Sequence, residues 1–135
     1  MDAILEIAFL GDPSGGESFL DDVESMIAGA SARAGIELQP VKSTRTERGY
    51  RVVGCSVAPP ALVPELGVHR AQIHCGPHGL IRTFKVVVAV EGRPETAIIR
   101  TYSYPLSRVS FHRSGTRAPL REVLDGRGAD HEPEL

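Results

Sequence analysis

Cysteine is scarce in this sequence. Cys55 and Cys75 are the only two in 135 residues, too few for a disulfide framework. No apolar run approaches the roughly 18 residues that a membrane-spanning helix needs. The opening Met1-Asp-Ala-Ile-Leu-Glu6 carries acids where a secretory signal would carry a basic region, so a cytoplasmic location is expected. There is no internal repeat and no low-complexity tract. Ser-His-Asp order, a nucleophile elbow and a paired carboxylate motif are all missing, which argues against a hydrolase of recognisable type. What remains is an ordinary globular composition, 41% hydrophobic and 24% charged, at a length that suits one domain with its own core.

Charge is segregated along the chain although the net value is only −2. Residues 1–40 hold eight acids and one base, Arg33, a balance of −7. Residues 41–121 hold thirteen bases and four acids, a balance of +9, and residues 122–135 return to −4. A basic block between two acidic ones is what a polyphosphate partner would select; an Arg-rich solvated sheet face is the plainer account.

Hydrophobic periodicity gives the elements. Ala3–Leu10 reads as a strand closed by Gly11. Asp12-Pro-Ser-Gly-Gly16 is a turn. A helix comes next, with Ser14 or Ser18 as candidate N-caps. Its apolar stripe is Phe19, Leu20, Val23, Met26, Ile27, Ala30 and Ala34, and Gly35 is placed to end it. Everything after Gly35 reads as strands: Ile36–Lys42, Tyr50–Val57 after a charged turn at Thr44–Gly49, Ile81–Val90, Thr96–Tyr104, Ser107–His112 and Arg117–Leu124. Pro59, Pro60 and Pro64 exclude a central strand between them, and Gly92-Arg-Pro94 breaks the chain after Val90. The expected fold is α+β: one long helix packed on a largely antiparallel sheet. Residues 1–125 form one domain, and 126–135 form an acidic flexible tail.

Several motifs resemble those of one family. Ala3-Ile-Leu-Glu-Ile7, Gly15-Gly16-Glu17-Ser18 and a helix ending Ala32-Arg-Ala-Gly-Ile-Glu37 look like the opening of the central domain of bacterial class I peptide-chain release factors. Gly67-Val-His-Arg70 is identical to that family's Gly-Val-His-Arg motif. Gly79-Leu-Ile-Arg-Thr83 followed by Val88-Ala-Val90 is similar to its Gly-Arg-Ile-His-Thr…Val-Ala-Val strand. Arg100-Thr-Tyr102 resembles the strand before the catalytic loop. Arg108–Thr116 and Val123–Arg127 resemble the strands after that loop. The match runs collinearly over residues 3–127 and implies a release-factor central-domain-like fold.

The departures bear on function. The family's Gly-Gly-Gln loop comes after the strand matched by Arg100–Tyr102, but here Tyr102-Ser-Tyr-Pro-Leu-Ser-Arg108 bridges the gap. Gln39 and Gln72 are the only glutamines, and neither stands beside paired glycines. The stop-codon tripeptides, Pro-x-Thr or Ser-Pro-Phe, are absent from Ile73–His78. The family's N-terminal helical domain and C-terminal helix have no counterpart in these residues. The resemblance therefore implies a release-factor-like protein without catalysis, binding the ribosome or RNA in termination, rescue or hibernation. Its contact residues would be His69, Arg70, His74, His78, Arg82, Thr83 and Lys85. A protein-interaction module that kept the fold and lost RNA is the alternative. His69, His74, Cys75 and His78, with Cys55, are borderline-soft donors for zinc, but adjacent strand residues His74 and Cys75 point apart and no pair of Cys-x₂-Cys type supports a metal. No cofactor, small-molecule substrate or membrane partner is indicated.

Overall fold

The computed structural model describes residues 1–91 and 96–133. Strict alternation at the start of the chain makes β1 (Ile4–Phe9), whose Leu5 and Ile7 are fully buried around an exposed Glu6. The apolar stripe makes α1 (Glu17–Arg33). Then come β2 (Leu38–Ser43), β3 (Glu47–Val52), a 3₁₀ turn at Val63–Glu65, β4 (Gly67–Cys75), β5 (Leu80–Val90), β6 (Ile98–Ser103), β7 (Arg108–Phe111) and β8 (Arg117–Pro119). The strands form one eight-stranded sheet in the order β2-β3-β1-β5-β4-β6-β7-β8. Every neighbouring pair is antiparallel except β4 with β6, which run parallel. The architecture is mixed α+β. α1 has 17 residues, and the other helical segments among the described residues have 3 to 5.

α1 covers one face of the sheet. Phe19, Leu20, Val23, Met26 and Ile27 pack onto Leu5 and Ile7 of β1, Phe84, Val86 and Val88 of β5, Ala71 of β4, Tyr102 of β6, and Val109 and Phe111 of β7. The Phe19 and Tyr102 rings meet edge to face at 5.4 Å. The sheet's first half is tied to the same helix by polar contacts: Arg48 pairs with Asp21 and Glu24, and the Tyr50 hydroxyl bonds the Glu24 carboxylate. Burial and that carboxylate together push the Tyr50 phenol up to about 12.

The entry to α1 is set by packing rather than capping. Neither Ser14 nor Ser18 is the N-cap; Gly16 is, without a side-chain bond. A Cβ at Gly16 would collide with the Phe84 ring, so no serine fits there. The preceding Gly15 has φ +85°, a conformation that side chains disfavour. The stripe also differs at its end. Ala34 is exposed, and Ser31, off the expected face, is buried.

Other boundaries differ from expectation for identifiable reasons. β3 begins at Glu47, inside the expected charged turn, because Arg48 faces α1 and its charge is neutralised there. Gly67–Cys75 is a strand that periodicity does not announce. It carries His69, Arg70, Gln72 and His74, and its polar face hides the period. The expected strand Arg117–Leu124 stops at Pro119, which has no N–H to offer a ladder, and the chain coils through Leu120–Glu122, Val123–Arg127 and Gly128–His131. Those turns dock on α1. A Cβ at Gly126 would lie 2.5 Å from Ala30 N, and one at Gly29 would lie 2.7 Å from the Asp125 carbonyl. Arg33 donates to that carbonyl at 3.0 Å. The expected boundary at 125 thus falls inside a packed segment, in which the chain kinks at Gly126 and residues 128–131 form a further helical turn. The expected break at Gly92–Pro94 lies outside the described residues.

Phe19 is fully buried under the sheet, so Phe19→Ala is expected to cost about 3–5 kcal/mol in urea unfolding. Ser31→Ala is expected to be neutral or stabilising, since the Ser31 hydroxyl is buried without a partner and its removal ends a desolvation cost. Equal losses for the two variants would refute this assignment of the buried face.

Candidate functional site

Residues paired across neighbouring strands point to the same side of a sheet, so the register sorts the expected contact residues. His69 is level with Val86 and Arg100, on the side that α1 covers. Arg82, Phe84 and Val86 alternate onto that side as well. Arg70, Gln72 and His74 of β4, and Thr83 and Lys85 of β5, take the opposite, open side.

This division corrects one of the expected contact residues, His69, and sets Arg82 apart from the others. His69 is 0% exposed and cannot touch a partner. Arg82 is on the α1 side, where its guanidinium donates to the Ser14 carbonyl at 2.7 Å and stacks over Phe84 at 5.0 Å. Asp12 stands 4.0 Å away. Arg82 therefore clamps the Gly-Gly turn at the start of α1. Arg70 and Lys85 lie directly opposite each other on the open side, with Thr83 level with Gln72 one row away. His74 and His78 belong to the β4–β5 hairpin. Its turn, Gly76–Gly79, needs φ +75° and +67° at its two glycines. His74 Nδ1 lies 2.9 Å from the Gly79 carbonyl, which can only accept, so the proton is on Nδ1. Among the described residues no three His, Cys, Asp or Glu side chains are arranged to hold a metal ion.

The buried side holds a polar centre that the sequence did not reveal. Arg100 and Glu65 form an ion pair with both side chains excluded from water. His69 Nε2 lies 2.8 Å from the Glu65 carbonyl, and Nδ1 lies 2.6 Å from the Tyr102 hydroxyl. The carbonyl accepts only, so Nε2 carries the proton and Nδ1 accepts from Tyr102. Burial, with Arg100 adding like-charge repulsion, holds His69 down at about 3. It stays neutral with both nitrogens engaged, which leaves nothing for acid–base work. Burial pushes the Glu65 carboxyl up while Arg100 pulls it down, and burial likewise raises the Tyr102 phenol. Phe111 lies 5.2 Å from the guanidinium carbon, and a Cβ at Gly128 would come within 2.8 Å of Nη2. The cluster is structural. Its signal was the phase of β6, where Arg100 shares the buried face with Tyr102.

No protein-family model matches this sequence, and no curated protein matches it. The structure is similar to that of RF2 of Thermus thermophilus, with a TM-score of 0.76 and 16% identity, covering 96% of this chain. The chain spans 65% of the length of that structure. At this identity the likeness shows a release-factor-like fold.

Removing one member of the buried ion pair leaves the other charge uncompensated. Arg100→Met is expected to cost about 3–5 kcal/mol in urea unfolding at pH 7, and Glu65→Leu with Arg100→Met should recover most of that. His69 adds a pH dependence of defined sign. The unfolded imidazole binds a proton below its usual 6.5 and the folded one does not until about 3, so its contribution is complete above about pH 6.5 and falls with acid through that window. Stability of the native protein should drop between pH 6.5 and 5 more than that of His69→Gln. Parallel pH profiles for the two proteins would contradict the assignment.

Proposed function

We propose that this protein is a release-factor-like factor that binds the ribosome or RNA in a translation-related role and does not hydrolyse peptidyl-tRNA. The observation that carries the reading is the connection between β6 and β7. The resemblance puts a Gly-Gly-Gln loop after Arg100–Tyr102, and here the strands are joined by the tight turn Tyr104-Pro-Leu-Ser107. It is closed by a bond from Ser107 N to the Tyr104 carbonyl at 3.3 Å, with Ser107 at φ +52°. Ester hydrolysis requires a positioned group and a positioned water, and this turn presents neither a glutamine nor a projecting loop. The fold likeness supports the translation-related role, and the Arg70–Lys85 pair supports a polyanionic partner.

A protein partner is the second reading. Leu80 and Ile81 beside the hairpin turn are 69% and 58% exposed, and a partner protein would cover them where RNA would not.

Two measurements test the proposal. Purified protein added to programmed ribosomes is expected to release no formyl-methionine above a no-protein control. It is expected to co-sediment with ribosomes at about 50 mM salt and to leave them at about 200 mM, because phosphate contacts weaken as salt rises. Release above control would overturn the non-catalytic reading. Failure to co-sediment at low salt would favour the protein partner.

A further inference from the structure

Strands β4 to β8 contain no carboxylate, and their cations divide between the two sides of the sheet. Arg82 and Arg100 turn toward α1 and pair with Asp12 and Glu65. Arg70, Lys85, Arg108 and Arg117 turn to the open side. The register aligns three of them in one row: Lys85 opposite Arg70, Arg70 level with Thr101, Thr101 opposite Ser110, and Ser110 opposite Arg117. At about 4.8 Å per strand the row is roughly 19 Å long. Arg108 sits one row away, opposite Ser103.

These cations have no counter-charge among the described residues, whose ion pairs include none of them. On the other half of the sheet, Lys42 and Arg51 are each paired with an acid. Arg70 Nε instead donates to Thr101 Oγ1 at 3.2 Å, and that hydroxyl lies 2.7 Å from His112 Nε2. Directly opposed like charges, with Cβ atoms about 5 Å apart, destabilise a strand pair. Lys85 against Arg70 is such an arrangement, and a bound polyanion turns that repulsion into attraction. No phenylalanine or tyrosine of these strands shares this side: Phe84, Tyr102 and Phe111 all pack into the core under α1. The face therefore offers no phenyl or phenol ring for stacking bases, and Thr83, Thr101 and Ser110 supply neutral hydroxyls among the charges.

We propose that the open side of β4–β8 is an RNA-contact surface that grips the phosphate backbone along the row from Lys85 through Arg70 to Arg117, without reading bases. The proposal rests on the RNA-binding reading and moves the contact away from the hairpin turn to the flat of the sheet.

Fluorescence anisotropy with a labelled RNA duplex of about 20 base pairs, measured at several salt concentrations between about 50 and 200 mM, tests it. Wild type is expected to bind two unrelated duplex sequences equally, with affinity falling steeply as salt rises. Arg70→Gln/Lys85→Gln/Arg117→Gln should bind at least about 30-fold more weakly at the lowest salt, and its log–log salt slope should be shallower by about 2–3. Arg45→Gln/Arg121→Gln/Arg127→Gln, with the same charge change elsewhere, should lose less than about 5-fold, since distant charges act only through a field screened over about 10 Å. Arg117→Gln alone, at an exposed edge position, should show a partial loss without any folding defect. Lys85→Gln should leave Tm equal or higher, because one of two opposed cations is gone. Equal weakening by the two triple variants, or a Tm loss in Lys85→Gln, would overturn the face. If both triples still co-sediment with ribosomes like wild type, the RNA reading survives and the face is wrong. If wild type binds neither duplex nor ribosomes, the reading and the face fall together. Tighter binding of poly-glutamate than of RNA would overturn the choice of RNA.

Discussion

A charged pair sealed inside the core constrains the rest of this structure. Arg100 enters from the middle of β6 and Glu65 from the 3₁₀ turn ahead of β4, and neither reaches water. Burying two charges is tolerable only when their geometry is complete and nothing else competes for them. Enclosure is supplied by separate parts of the chain: Met26 of α1, His69 of β4, Tyr102 beside Arg100, Phe111 of β7 and the backbone at Gly128. The C-terminal turns are therefore part of the domain. Gly126 and Gly128 are glycines because α1 and the guanidinium occupy the space where a Cβ would stand. The conflict between Arg100's unpartnered Nε and Nη2 and its depth is eased by the Phe111 ring, a weak acceptor face for a cation.

The sheet's two sides handle charge in opposite ways. Toward α1 each cation meets an acid, and the acidic N-terminal third of the sequence supplies most of them: Asp12, Asp21 and Glu24 reach Arg82 and Arg48. On the open side of β4–β8 the cations meet only hydroxyls and one another. The sequence-level segregation of charge is thus resolved by folding into neutralised pairs on one side and a surplus on the other. The β6–β7 connection on this half of the sheet is a tight turn closed between Tyr104 and Ser107.

Several elements are legible without the structure. The α1 stripe from Phe19 to Ile27 is strongly periodic and lies on one face whatever its neighbours are. β1 and β5 announce themselves through alternation and a long apolar run. Illegible are the elements whose pattern is broken by charge turned inward. Arg48 disguises the start of β3, Arg100 disguises the phase of β6, and His69 disguises β4 altogether. Hydrophobic periodicity assumes that polar side chains face water, and each of these side chains is satisfied by a partner distant in sequence.

The contact residues divide along the same line. Sequence alone determined the segregated charge, the presence of basic residues around Gly67–Val90 and the lack of a Gly-Gly-Gln segment, because these are properties of composition and order. It could not say which side of the sheet His69, Arg70, Arg82 and Lys85 each take. That depended on strand register, and a shift of one residue moves a side chain from one face to the other. Register is set by pairings between β4, β5 and β6 and by where α1 lies. Only the tertiary structure decided that Arg70 and Lys85 face outward while His69 and Arg82 serve the fold.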